Sequence, residues 1–424
     1  MLNSRAITKV QATLLAVIIV VVTVGGGVAY VLFSGTGGTE ETIKIGLCAD
    51  LNMPLGEGAW QGLVLAAEQI NAEGGLLGKQ VEIVGEDSDS EESLDPAKII
   101  QAFNRLLFQH EVDFTIGAGM ETYLVDAAAE HKTIMLGTAM GSEHSTQKVL
   151  DDYDKYKYFF RICLNETAHR QRYAEGILFI RELTGFNKVA RLATNFGPVA
   201  ETSYEKYKLM LEDNGFDVVY DGRFAPGTID FSSYFAAAEA AGAEIIMPDI
   251  QTQEGISFVK EWYDRQSPML IWGRNYVGSS LLDSWEFTGR KCVNTSPAPW
   301  NGYPITTKSI PMEEAYSERW GANASITAKL NYDALRFILF DAIERAETTE
   351  TDAVIKALEE TSIETSLQNN FRFSSSHDNL GRSMNDYPIF QWQTDGKRVP
   401  IWPPELMEEA ESTYTLPNWP GPWD

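Results

Sequence analysis

Catalysis and metal binding need particular side chains brought close together, and this sequence offers few in suggestive order. Asp87, Asp89, Glu91 and Glu92 form its densest acidic run. A twelve-residue Ca²⁺ loop starting there would need Gly at its sixth place and Glu at its twelfth, but Gly is absent and Lys98 holds the twelfth. The run therefore reads as a solvated acidic loop. His110, His131, His144, His169 and His377 are scattered, without the close His/Cys spacing of a zinc site. Cys48, Cys163 and Cys292 each lie in an apolar, strand-like string and read as small buried groups, and three is an odd number for a disulfide framework. Neither a Gly-rich phosphate loop nor a Gly-x-Ser-x-Gly elbow occurs. The expectation is a non-enzyme with no cofactor and no metal site. Gln251, at the start of a loop after an apolar strand, is placed for a polar contact to a bound molecule.

Charge narrows the partners. The 424 residues carry 60 Asp+Glu against 34 Lys+Arg, a formal net charge of −26. Nucleic-acid binding rests on Lys and Arg neutralising phosphates, so nucleic acid is an unsuitable partner. Hydrophobic residues at 44% and charged residues at 22% are ordinary globular usage, so the chain should fold. With an N-terminal segment set aside, roughly 380 residues remain, enough for two lobes with separate cores.

That segment is an uncharged run, Val10 to Phe33, behind Arg5 and Lys9. It is long enough to cross a hydrocarbon layer as a helix, with Gly25-Gly26-Gly27 as its weak point. The basic residues precede it, so the positive-inside rule places the main body outside the cytoplasm. The expected order is a short cytoplasmic start (1–9), a transmembrane anchor or cleaved signal (10–33) and a Gly/Thr tether (34–42). The start Ser4-Arg5-Ala6-Ile7-Thr8-Lys9 also resembles a pilin-type signal of archaeal surface proteins.

Beyond it, short apolar strands alternate with helical patterns. Ile43–Cys48, Val81–Val84, Phe114–Gly117 and Ile134–Gly137 read as strands. Helices fall at Trp60–Ile70, from an Asp95-Pro96 start to about Gln109, and at Tyr123–Glu130. A second series has strands at Lys188–Leu192, Val218–Tyr220, Glu244–Met247 and Met269–Gly273, with helices at Glu205–Asn214 and around Ser257–Gln266. Such alternation predicts an α/β fold of two doubly wound parallel-sheet lobes. Trp60 reads as helix core.

Five strings, in order, resemble the solute-binding proteins of ABC importers, of the branched-chain amino acid and amide type. They are Ile70-Asn71-Ala72-Glu73-Gly74-Gly75-Leu76-Leu77-Gly78, Asp95-Pro96, Phe160-Arg161, Asp230-Phe231-Ser232 and Phe390-Gln391-Trp392. The resemblance covers about residues 43 to 396. It implies lobes joined by a three-crossover hinge: 43–163 plus about 296–370 for the first, 164–295 plus about 371–400 for the second, and a Pro/Trp-rich tail at 401–424. It also implies a small solute held in the cleft by hinge closure, and delivery to a permease and ATPase on separate chains.

In that family the loops after the third and fourth strands of the first lobe hold the ligand's carboxylate. They map to Glu121-Thr122 and Ala139-Met140-Gly141. The family has a hydroxyl residue where Glu121 stands, and a carboxylate there would repel an anion. Alternatively, Glu121 merely favours the positive end of its own helix. The family's acidic anchor for an ammonium maps to Asn275, beside Arg274, and Leu55 and Val199 stand near its covering aromatics. The expected ligand is thus a small polar or cationic solute, or an amide, with Glu121 as acceptor and Arg274 or Asn275 as donors. A sensing ectodomain of the same fold is the alternative, and adjacent kinase rather than permease genes would mark it. Asn165-Glu166-Thr167, Asn294-Thr295-Ser296 and Asn323-Ala324-Ser325 fit the glycosylation pattern of an exported surface.

Overall fold

The computed structural model describes residues 18–24, 27–33, 42–89, 95–119, 122–195, 198–250, 253–275, 284–297, 301–380 and 388–423. Its first sheet begins with β1 (Ile18–Val24) and β2 (Gly27–Phe33), an antiparallel pair. It continues with β3 (Thr42–Ala49), α1 (Pro54–Ala72), β4 (Gln80–Asp87), α2 (Pro96–Phe108) and β5 (Phe114–Ala118). Then come α3 (Thr122–His131), β6 (Met135–Gly137), α4 (Glu143–Asp151), α5 (Tyr153–Tyr156) and β7 (Phe159–Arg161). The strand order is β1-β2-β4-β3-β5-β6-β7, and the last five are parallel. The order reverses at β3, so the crevice between β3 and β5 is a topological switch point.

Residues 18–24 and 27–33 depart from the expected membrane helix. They form two strands, and β2 runs antiparallel to β4 at the sheet edge. The run Ile-Ile-Val-Val-Val-Thr-Val is β-branched throughout, and such residues favour strands over helices, while Gly25-Gly26 interrupts it. Among the described residues no helix is long and apolar enough to cross a membrane.

The second lobe opens with α6 (Glu166–Thr184) and continues through β8 (Lys188–Thr194), α7 (Pro198–Asp213), β9 (Asp217–Phe224) and α8 (Ser232–Ala240). It proceeds through β10 (Ile245–Ile250), α9 (Glu254–Asp264), β11 (Leu270–Ile271), β12 (Arg274–Asn275) and α10 (Ser284–Phe287). All its strands are parallel; β11 and β12 both lie beside β10, followed by β8 and β9.

The chain then returns to the first lobe. α11 (Ser309–Trp320), α12 (Ile326–Asp333), a π-helical stretch (Ala334–Leu339), α13 (Phe340–Ala346) and α14 (Thr351–Glu359) follow in order. Leu335, Ile338 and Leu358 join Leu47, Leu63 and Ile116 in one core. The α1–α12 approach is close, since a Cβ on Gly62 would lie 2.1 Å from the Ala328 carbonyl oxygen. β13 (Ser362–Ile363), β14 (Phe371–Phe373) and β15 (Asn379–Leu380) form a small antiparallel sheet.

Phe371 and Phe373 belong to this first core, and Phe373 meets Phe160 edge-on at 4.9 Å. The first lobe thus extends past the 370 boundary expected from sequence. After a last crossing, β16 (Ile389–Trp392), β17 (Arg398–Trp402) and α15 (Pro404–Glu409) pack on the second lobe. The final stretch also belongs there: Trp419 stands edge-on to Trp262, and its indole N–H donates to the Ser267 carbonyl at 3.0 Å. Three crossings therefore link the lobes.

Local chemistry explains the element ends. Asp95 caps α2 by accepting from the Ala97 amide at 2.9 Å. At the end of α1, Gly75 takes φ 87° and donates to the Ile70 carbonyl, and any Cβ there would strike the Lys79 carbonyl.

Candidate ligand-binding site

Open parallel sheets bind ligands beyond the carboxyl ends of their strands. In the second lobe those ends carry a charged pocket. Asp249 on β10 is paired in register with Ala193 on β8 and with Arg274 on β12, so Asp249 and Arg274 are neighbours on one face of the sheet. Arg191 lies two residues before Ala193 on the same face. The helices covering this face supply Tyr173 from α6 and Tyr207 from α7. With Met247, these groups line a small, open pocket.

The Arg274 Nη2 lies 3.0 Å from both Asp249 carboxylate oxygens, and the guanidinium carbon is 5.6 Å from the Tyr207 ring centre. Burial opposes the Arg274 charge, but Asp249 and the nearby phenols more than offset it and raise the pKa. Burial likewise pushes the Tyr173 and Tyr207 hydroxyls upward, so both remain neutral donors. Arg191 is more enclosed. It donates to Asp221 at 3.1 Å and to the Tyr204 carbonyl at 2.6 Å, and its desolvation lowers its pKa. Tyr204, whose hydroxyl donates to the Thr194 carbonyl at 2.6 Å, is pushed by burial to about 12.

The facing loop of the first lobe is held differently. Arg161, fully buried at the end of β7, donates to the carbonyls of Gly141 at 2.9 Å and Ser142 at 2.8 Å and to the Thr146 hydroxyl at 2.7 Å. Its Nε lies 3.5 Å from Asp378, which also accepts from the Asn165 amide at 2.6 Å. Gly141 additionally accepts from the Glu166 backbone N–H at 2.9 Å, and Arg161 N–H donates to the His377 carbonyl. One guanidinium thereby ties the loop after β6 to the first and third crossings.

The residues singled out from sequence are placed unevenly. Arg274 lines the second-lobe pocket. Its neighbour Asn275 is fully buried. Met140 is buried in a first-lobe core and its backbone N–H donates to the Cys163 sulfur at 3.2 Å. Ala139 and Leu55 are half-buried against the first-lobe core, and Gly141 is half-buried with its carbonyl engaged. Thr122 starts α3 and Val199 lies in the first turn of α7; nothing of their side chains is described. Glu121 and Gln251 lie outside the described residues.

Sequence reasoning missed Tyr173, Arg191, Tyr207 and Asp249. Asp249 carried a readable signal, an acid closing the apolar strand Ile245–Ile250. Of the three glycosylation triplets, Asn165 caps α6 and Asn294 is buried with its amide on Thr415, which leaves Asn323 as the exposed one. All three cysteines are buried thiols, and Trp60 is core.

Two α/β lobes, three crossings and a polar pocket at the strand ends are the architecture of a bilobal solute-binding protein. A family model described as "Periplasmic binding protein" matches residues 42–397, and the chain belongs to that family. It is similar to a Leu/Ile/Val-binding protein homolog of Brucella suis, 24% identical over 395 residues that cover 88% of this chain and 94% of that one. Its fold is similar to that of a candidate branched-chain amino acid ABC transporter protein from Silicibacter pomeroyi, at 20% identity and TM-score 0.76, covering 89% of this chain and all of that one. It is also similar to a solute-binding protein from R. palustris in complex with benzoate, at 15% identity and TM-score 0.70, covering 85% and 96% of the two chains.

Proposed function

We propose that this protein captures a small organic solute between its lobes and hands it to an ABC permease whose membrane and ATPase parts are separate chains. The observation that carries the reading is the second-lobe pocket. Two phenols and one ion pair converge at the carboxyl ends of β8, β10 and β12, where this fold class receives its ligands. Solutes named for the relatives, Leu/Ile/Val for one and benzoate for another, all carry a carboxylate. Closure would follow from differential affinity: a solute touching both lobes favours the closed state.

The body would work on the outer side of the membrane, with the segment before Thr42 holding it there. Carbonate extraction of membranes from cells expressing the full chain tests this attachment, and release into the soluble fraction would refute it.

A thermal-shift screen of the purified chain tests binding itself. Amino acids, amides, aromatic acids, polyamines and sugars form the panel. At 100 times its dissociation constant a true ligand adds about 2.7 kcal/mol of stability, a resolvable shift. If no member of the panel moves the transition, the solute-binding reading fails for these classes.

A further inference from the structure

The pocket in the second lobe has a polarity of its own. Arg274 engages Asp249 through Nη2 alone, and among the described residues its Nε and Nη1 have no protein partner. A guanidinium has five N–H donors, so the Nε and Nη1 N–H groups remain for a further acceptor. Its side chain is 26% exposed, against 4% for Arg191, so it is the cation that solvent or a ligand reaches. Tyr173 and Tyr207 also line this pocket, and among the described residues their hydroxyls make no hydrogen bond to protein. The charged groups lining the pocket are Arg191, Arg274 and Asp249, two cations and one anion.

Resting on the solute-binding reading above, we infer that this pocket receives an anionic end of the solute, a carboxylate accepting from the N–H groups of Arg274 that Asp249 does not engage, with the Tyr173 and Tyr207 hydroxyls as further donors. An ammonium there would meet a guanidinium and phenol hydrogens, and the one carboxylate present, Asp249, is already engaged by Arg274. The three donors match a carboxylate's two oxygens, which accept several hydrogen bonds in plane. This assigns sense to the second lobe: it reads the acid group of the solute, and specificity there is between a carboxylate and its amide.

Calorimetry on the full chain with matched probes tests the inference. L-glutamate is compared with L-glutamine, and benzoate with benzamide. In at least one pair the carboxylate should bind roughly 10- to 100-fold more tightly, the scale of a charge-assisted hydrogen bond. Arg274→Gln should weaken the carboxylate by a similar factor and leave the amide unchanged. Arg274→Gln strands Asp249, so the double variant Arg274→Gln/Asp249→Asn, which removes both charges, is measured beside it and should show the same loss of preference. Equal binding of acid and amide, or equal weakening of both by the variants, overturns the inference. So does binding of a neutral or cationic solute from the panel while no carboxylate binds, and the solute-binding reading then stands. If nothing in the panel binds, both fall.

Discussion

The two edges of the cleft are built on opposite plans. On the first lobe, the loop after β6 is held by protein groups: its carbonyls accept from Arg161, and Met140 N–H points at a buried sulfur. On the second lobe, Arg274 and two tyrosines line an open pocket. Arg161 is wholly buried, whereas Arg274 is about a quarter exposed. The same side chain therefore serves two purposes, decided by burial. An enclosed guanidinium whose Nη groups bond carbonyls fixes backbone; a partly exposed one with N–H groups left over is open to a solute.

The largest effect should come from breaking the enclosed plan. Arg161→Met strands the Ser142 carbonyl, leaves the Gly141 carbonyl with the Glu166 N–H alone and leaves Asp378 facing an apolar side chain. The expected loss is about 3–5 kcal/mol in urea unfolding, as for other buried ion pairs deprived of one partner. A variant within about 1 kcal/mol of the parent, a surface-like effect, would erase the contrast between the lobes.

A second buried charge sharpens the contrast through pH. Asp333 in the first lobe is 2% exposed and accepts from the backbone N–H groups of Ser366 at 3.1 Å and Leu367 at 3.2 Å. Burial outweighs these bonds and raises its pKa from 3.8 to about 6. Between those values the folded chain holds a proton that the unfolded chain has released. The contribution is full below about 3.8 and is lost as pH rises through about 6. Asp333→Asn, which cannot ionise, should remove a fall of up to roughly 3 kcal/mol over that range. Unfolding curves at stepped pH read the difference, and identical pH profiles would remove Asp333 from the account.

The smallest effect belongs to the open plan. Tyr207→Phe deletes one hydroxyl at the pocket and keeps the ring that packs beside Tyr173 at 6.2 Å. Stability should change by less than about 1 kcal/mol, and affinity for a bound carboxylate should fall about three- to ten-fold, the value of one neutral hydrogen bond. A stability loss larger than the affinity loss would mean the tyrosine is core rather than recognition.

Much of the scaffold was legible in the amino-acid order because its causes are local. The Asp95-Pro96 start and the Gly74-Gly75 stop are set by backbone groups a few residues away. Strand and helix patterns from Ile43 to Gly273 follow from the spacing of apolar residues, which the sheets then bury. Failures came where two local readings compete or where contact is distant. The run before Thr42 suits both a span and a pair of strands. Phe371 and Phe373 joined the first lobe because Phe160, more than 200 positions earlier, offers them a ring and a core.

The site shows the same division. Sequence alone determined an α/β binding protein of two lobes, without the motif of any catalytic class, and it singled out Arg274. Only the tertiary structure decided that Arg274 faces the pocket while Asn275, the next residue, is sealed, because successive strand residues point to opposite faces. It also decided that Asp249 is the partner of Arg274, since parallel register sets them side by side across 25 positions of sequence. Charge is written in the chain, but its use depends on desolvation and on which group lies within hydrogen-bonding distance. Those two quantities exist only once the strands have paired.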